Sequence, residues 1–153
     1  MKTTNKIILA IALALVGCTH GAKLETPKGF ANLGDKGEFS YRAANAKGIV
    51  LTTRTQDNDV KADTGFWAEA LDAKLRDKGY SPDGSRAVKT ARGLDGTQLR
   101  YLTTHEGRPH RYWVTIFTTA SKVYVVEAAG DKEPFDQQVA IVESSITTLD
   151  ATN

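Results

Sequence analysis

Only one cysteine, Cys18, occurs in the 153 residues, so an intramolecular disulfide is excluded and no cluster of thiolates can hold a metal. An excess of one charge is lacking too: 20 lysines and arginines face 18 aspartates and glutamates, and Lys2 and Lys6 at the extreme N-terminus account for the difference. A neutral body argues against a general nucleic-acid binder, whose affinity comes from many cations on phosphates. No apolar run reaches the roughly 20 residues that a permanent membrane-spanning helix needs. The run from Ile7 to Val16 has 10. Signatures of catalysis are also missing: there is no Gly-x-Ser-x-Gly elbow, no Gly-rich phosphate loop and no His-Glu-x-x-His. What remains is 41% apolar, 25% charged and 8% aromatic residues, a composition for one compact domain rather than a disordered chain or a multi-domain enzyme.

The N-terminus reads as an address. Lys2 and Lys6 precede the apolar run, and Gly17 and Cys18 follow it, which is the layout of an export signal. Leu15-Val16-Gly17-Cys18 resembles the lipobox of bacterial lipoproteins. That resemblance implies a signal peptide over residues 1–17, cleavage between Gly17 and Cys18, and diacylglycerol on the Cys18 thiol. Two or three acyl chains hold a protein durably to a membrane where one holds only marginally. Thr19 stands where an aspartate would resemble an inner-membrane retention signal, so the expected destination is the outer membrane, facing the periplasm. Residues 18–37 carry Gly, Lys and Pro with few apolar residues and are expected to form a flexible tether.

Residues 38–150 are expected to form a single domain. Two β-prone runs, Glu38 to Ala43 and Ile49 to Thr55, flank Asn45-Ala46-Lys47-Gly48 and predict a hairpin. Phe66, Trp67, Ala70, Leu71 and Leu75 then recur at helical spacing, with Asp63 or Thr64 to cap the start and Gly79 to end it. Four strands follow, at Arg86 to Ala91, Thr97 to Thr104, Arg111 to Thr119 and Lys122 to Ala129, with separators short enough for a meander. Apolar residues fill both phases of Tyr112 to Phe117 and of Val123 to Val126, predicting strands covered on both faces. Phe135, Val139, Val142, Ile146 and Leu149 predict a last helix, with Pro134 in its first turn. The expected class is α+β, an antiparallel sheet covered by helices as an α/β/α sandwich. In this order of elements, and in Val123-Tyr124-Val125-Val126-Glu127-Ala128 with Phe135 and Ser144-Ser145-Ile146-Thr147-Thr148-Leu149, the chain resembles the Mog1/PsbP-like fold, including the DcrB-like domains. The resemblance implies an accessory, chaperone or assembly role on other proteins, and no catalytic signature.

Three groups of residues stand out as candidate sites. His105, Glu106 and His110 flank one tight turn and could bring two imidazoles and a carboxylate together, a weak candidate for a metal; a solvated turn is the plainer expectation. Arg100, Arg108 and Arg111, with Arg86, Lys89 and Arg92, crowd the meander, while acids dominate after Glu127; a basic face could meet an acidic envelope partner. Trp67 and Trp113 could anchor a partner but are expected in the core. The expected function is a lipid-anchored, non-catalytic envelope protein without a cofactor, which binds another envelope component. A small metal-dependent or hydrolytic enzyme around His105, Glu106 and His110, or a periplasmic inhibitor or immunity lipoprotein, are the alternatives.

Overall fold

A computed structural model describes residues 21–151, so Gly17 and Cys18, with the expected signal and lipidation site, lie outside the described residues. The elements are β1 (Phe30–Asn32), β2 (Phe39–Asn45), β3 (Val50–Asp57), α1 (Thr64–Asp77), β4 (Ser81–Lys89), β5 (Asp95–His105), β6 (Arg108–Thr118), β7 (Lys122–Asp131), α2 (Lys132–Asp136) and α3 (Val139–Thr147). All strands pair antiparallel in one sheet of order β1-β2-β3-β7-β6-β5-β4. After β3 the chain crosses one face of the sheet as α1, starts again at the far edge as β4, and meanders back until β7 pairs with β3. No helix among the described residues is long and apolar enough to cross a membrane.

Local chemistry explains the boundaries. Asn45 turns the first hairpin by accepting from the N–H groups of Lys47 and Ile49, each at 3.0 Å. The Asp63 carboxylate caps α1 through the Phe66 N–H at 2.9 Å. At its other end Gly79 takes φ +88°, and the N–H groups of Gly79 and Tyr80 bond the carbonyls of Arg76 and Leu75. Glu106 and Gly107 both take positive φ, as a two-residue hairpin turn between β5 and β6 requires.

Each face of the sheet carries its own core, as expected from β6 and β7. On one face Tyr41, Leu51, Trp113, Phe117, Tyr124 and Val126 pack with Phe135, Val142, Ile146 and Leu149 from α2, α3 and the chain beyond. On the other, Leu99, Tyr101, Val114, Ile116, Val123 and Val125 pack under Ala68 and Leu75 of α1. Alternation along β6 sends neighbouring residues to opposite layers.

Three boundaries differ from expectation. The segment read as a tether is packed from residue 21 onward: Ala22 is 0% and Leu24 6% exposed, the Thr53 hydroxyl donates to the Ala22 carbonyl, and Lys23 and Asp150 exchange backbone hydrogen bonds. β1 then pairs with β2, so the domain begins well before residue 38. β4 starts at Ser81 rather than Arg86, because an edge strand tolerates Pro82 and accommodates a bulge around Gly84. The last helix is two pieces: α2 ends in a tight turn in which the Gln138 N–H bonds the Phe135 carbonyl at 2.8 Å, and α3 sets out anew from there.

Candidate functional site

α1 rests over β5 and β6, leaving a cleft of about 280 Å³ on its β7 and β3 flank. Trp67, Ala70, Leu71 and Lys74 of α1 form one wall, since spacings of three and four put them on one side of the helix. Ile116, Val123 and Val125 form the floor. Arg54 and Gln56 of β3 complete the rim because the register sets them opposite Val125 and Val123. The Trp67 indole is held by a 3.0 Å bond from its Nε1 to Asn58 Oδ1, and Phe66 packs edge-on against it at 5.6 Å.

The charged lining of this cleft is all of one sign. Arg54 and Lys74 line it, whereas among the described residues no carboxylate does. Lys74 makes no ion pair with any described residue and is exposed on α1. Arg54 reaches Glu127 Oε1 at 3.3 Å and Glu38 Oε2 at 3.5 Å, and its buried Nε has no partner. Good charge-assisted bonds run at about 2.7–2.9 Å, so Arg54 is loosely satisfied. Glu127 is satisfied by other groups, for the Tyr112 hydroxyl donates to Oε1 and Thr52 Oγ1 to Oε2 at 3.3 Å. Burial, then the Glu127 charge, pushes the Tyr112 phenol well above its ordinary 10.0. The Tyr112 ring packs at a tilt against Tyr80 at 5.1 Å and Tyr101 at 6.4 Å between ring centres, closing the core beside Glu127.

The residues singled out in the sequence sit elsewhere. Arg100 is 23% exposed and donates to Glu143 at 2.6 Å; Arg111 is 16% exposed and pairs with Asp136 at 2.5 Å and with Asp83. Arg86 shares Glu143, Lys89 meets Asp95, and Arg92 meets Asp150. The basic meander and the acidic C-terminal stretch therefore neutralise each other within the fold. Of the three arginines considered for a partner, only Arg108, 61% exposed, presents its charge to solvent, beside Asp131 at 3.1 Å. His105 and His110 have ring centres 5.3 Å apart, but His110 turns to Asp131 and Glu106 to Arg108. Among the described residues, no group of three or more His, Cys, Asp or Glu is placed to hold a metal ion. Trp113 is a core residue. Trp67 is only half-buried and lines the cleft.

Arg54, Lys74 and Glu127 were not conspicuous in the sequence. Their one signal was Glu127, a carboxylate inside a strand otherwise apolar in both phases. Arg54 meets it only through the β3 and β7 register, a pairing between positions far apart in the chain.

No protein-family model and no curated protein matches the chain. Solved structures do. Cyanobacterial PsbP (CyanoP) from Synechocystis sp. PCC 6803 superposes with a TM-score of 0.64 at 10% identity, covering 88% of this chain and 89% of that one. LpqN of Mycobacterium tuberculosis, described as involved in cell envelope biogenesis, gives 0.64 at 11% identity, over 83% and 79%. PA94 from Pseudomonas aeruginosa, a protein of unknown function described as a putative regulator, gives 0.51 at 12%, over 81% and 82%. Likeness at such identities is one of architecture, and the chain has an α+β, PsbP-like fold: a seven-stranded antiparallel sheet with helices on both faces.

Proposed function

We propose that this chain is a non-catalytic accessory protein of the cell envelope, exported, held to the outer membrane by lipid on Cys18, and binding another envelope component in the cleft between α1 and the sheet. The cleft carries this reading: an apolar floor and wall with two cations among the lining residues is the make-up of a binding site rather than of a reaction centre. Support for the envelope comes from the export-signal layout and the lipobox-like Leu15-Val16-Gly17-Cys18, and from the fold shared with LpqN.

A photo-crosslinking residue at Ala70, exposed on the cleft wall, tests the reading in intact cells. A discrete envelope component is expected in the crosslinked product, and Lys74→Glu is expected to reduce its yield severalfold. Crosslinks that are diffuse, or unchanged by Lys74→Glu, would remove the cleft from the function. Fractionation of a Cys18→Ser variant tests the anchor separately, with release from the membrane fraction expected and unchanged retention excluding it.

A further inference from the structure

We infer that the cleft between α1 and the sheet takes the end of a hydrocarbon chain that carries an anionic head, a carboxylate or a phosphate; this names the ligand class of the site proposed above and rests on that reading. Size is the first observation. The cleft's 280 Å³ is about nine times the ~30 Å³ that a water molecule occupies in the liquid, room for roughly eight to ten non-hydrogen atoms. Chemistry is the second. Trp67, Leu71, Ile116, Val123 and Val125 offer such a chain no hydrogen-bonding group except the Trp67 indole N–H, which Asn58 already occupies. Polar groups set against that floor and wall would be left unpaired, since the polar side chains of the lining, Arg54, Gln56 and Lys74, belong to its rim and outer wall.

The sign of the head follows from how the two cations are held. Arg100 and Arg111 show what a committed arginine looks like in this protein, with carboxylates at 2.6 and 2.5 Å. Arg54 has contacts of 3.3 and 3.5 Å instead, and its more distant partner, Glu38, is 65% exposed. Glu127 keeps its tyrosine and threonine donors if Arg54 swings toward a ligand. Lys74, on a flexible stem one turn beyond Ala70, has no carboxylate to leave. An anion that reached Arg54 and Lys74 would gain charge-assisted contacts with two cations, while a cationic head would meet two like charges and would have to compete with Arg54 for Glu127 and Glu38.

Indole N–H signals in a nuclear magnetic resonance titration provide the test, because the protein has two tryptophans and only Trp67 lines the cleft. The full chain carrying Cys18→Ser is titrated with octanoate, octyl phosphate, octanol and octyltrimethylammonium. Octanoate or octyl phosphate, or both, are expected to shift Trp67 and leave Trp113 in place, and the tighter of the two identifies the head. Octanol is expected to bind about tenfold more weakly and octyltrimethylammonium not at all. Lys74→Glu is expected to weaken the anion about tenfold, and Ala70→Phe, which fills the wall from an exposed position, to abolish the Trp67 shift. Octanol binding as tightly as octanoate, a Trp67 signal indifferent to both anions, or binding that survives Ala70→Phe would each overturn the inference. Loss of the in-cell crosslink with Lys74→Glu alongside a failed titration would leave the envelope-binding reading standing and refute the ligand class alone.

Discussion

The guanidinium carbon of Arg100 lies 3.9 Å from the centre of the Trp113 ring. The two residues are direct cross-strand partners on β5 and β6, and from there Arg100 reaches Glu143 of α3 at 2.6 Å and Gln98 at 2.8 Å. Trp113 in turn packs edge-on against Phe135 of α2, 4.9 Å between ring centres. This stack fastens both C-terminal helices to the sheet. Arg100→Lys keeps the charge but loses the planar fork and much of the ring contact, and is expected to lower unfolding free energy by about 1–2 kcal/mol. Arg100→Ala strands the half-buried Glu143 with Arg86 alone and is expected to cost about 2–4 kcal/mol. Urea unfolding followed by circular dichroism checks both. Reversing Arg100, Arg108 and Arg111 together would therefore disturb the fold, and Arg108→Glu alone is the informative surface variant.

Leu24 supplies a second test. As part of a tether it would tolerate any substitution; buried against the sheet, Leu24→Ala is expected to destabilise the protein by about 2–4 kcal/mol. Lys28→Ala, a few residues on and exposed, is expected to stay within about 0.5 kcal/mol of the parent. The difference in urea midpoint between the two variants is the readout.

Gly96 is fixed by what stands opposite it. A Cβ there would overlap the Phe117 ring and lie 2.8 Å from the Ile116 carbonyl, and neither the buried ring nor the strand backbone can retreat. Gly96→Ala is expected to lower the melting temperature, at a cost of about 1–3 kcal/mol. Adding Phe117→Leu to Gly96→Ala is expected to cost less than the sum of the two single variants, since the smaller side chain relieves the overlap.

Acid is expected to weaken the attachment of α2. The hydrogen bond from Arg111, then that from Lys132, hold the Asp136 carboxyl below its ordinary 3.8. A carboxylate with a depressed folded-state value contributes stability that is whole above the unfolded value and is lost as the pH falls through the folded one. Urea midpoints are therefore expected to drop below about pH 4. Asp136→Asn should flatten that drop in part, since the bond from Tyr101 holds Asp72 low and adds its own dependence in the same window.

How much of this was legible in the sequence depends on the range of the signal. α1 was readable because its cap at Asp63, its stop at Gly79 and its apolar stripe all lie within the helix and its immediate flanks. The buried strands were readable for the same reason, as alternation is a local pattern. Ala22 and Leu24 were not, since two alternating apolar residues among Gly, Lys and Glu give too short a pattern, and only Thr53, Thr148 and Asp150 far along the chain make them a packed segment. Pro82 and Gly84 hid the start of β4 because they break interior strands but not edges. Phe135, Val139 and Val142 kept helical spacing across the turn that separates α2 from α3. The cleft depended wholly on register: nothing near Arg54 in sequence announces Val125 or Glu127.

The backbone clasp between Lys23 and Asp150 brings the two ends of the domain together at one pole. Only Thr19 and His20 separate Cys18 from Gly21. At 3.3–3.6 Å per residue, three steps of chain cannot span more than about 10 Å. A domain lipidated at Cys18 would thus be moored almost flush against the bilayer with its clasped pole inward, and its partners would have to come to the membrane surface to meet it.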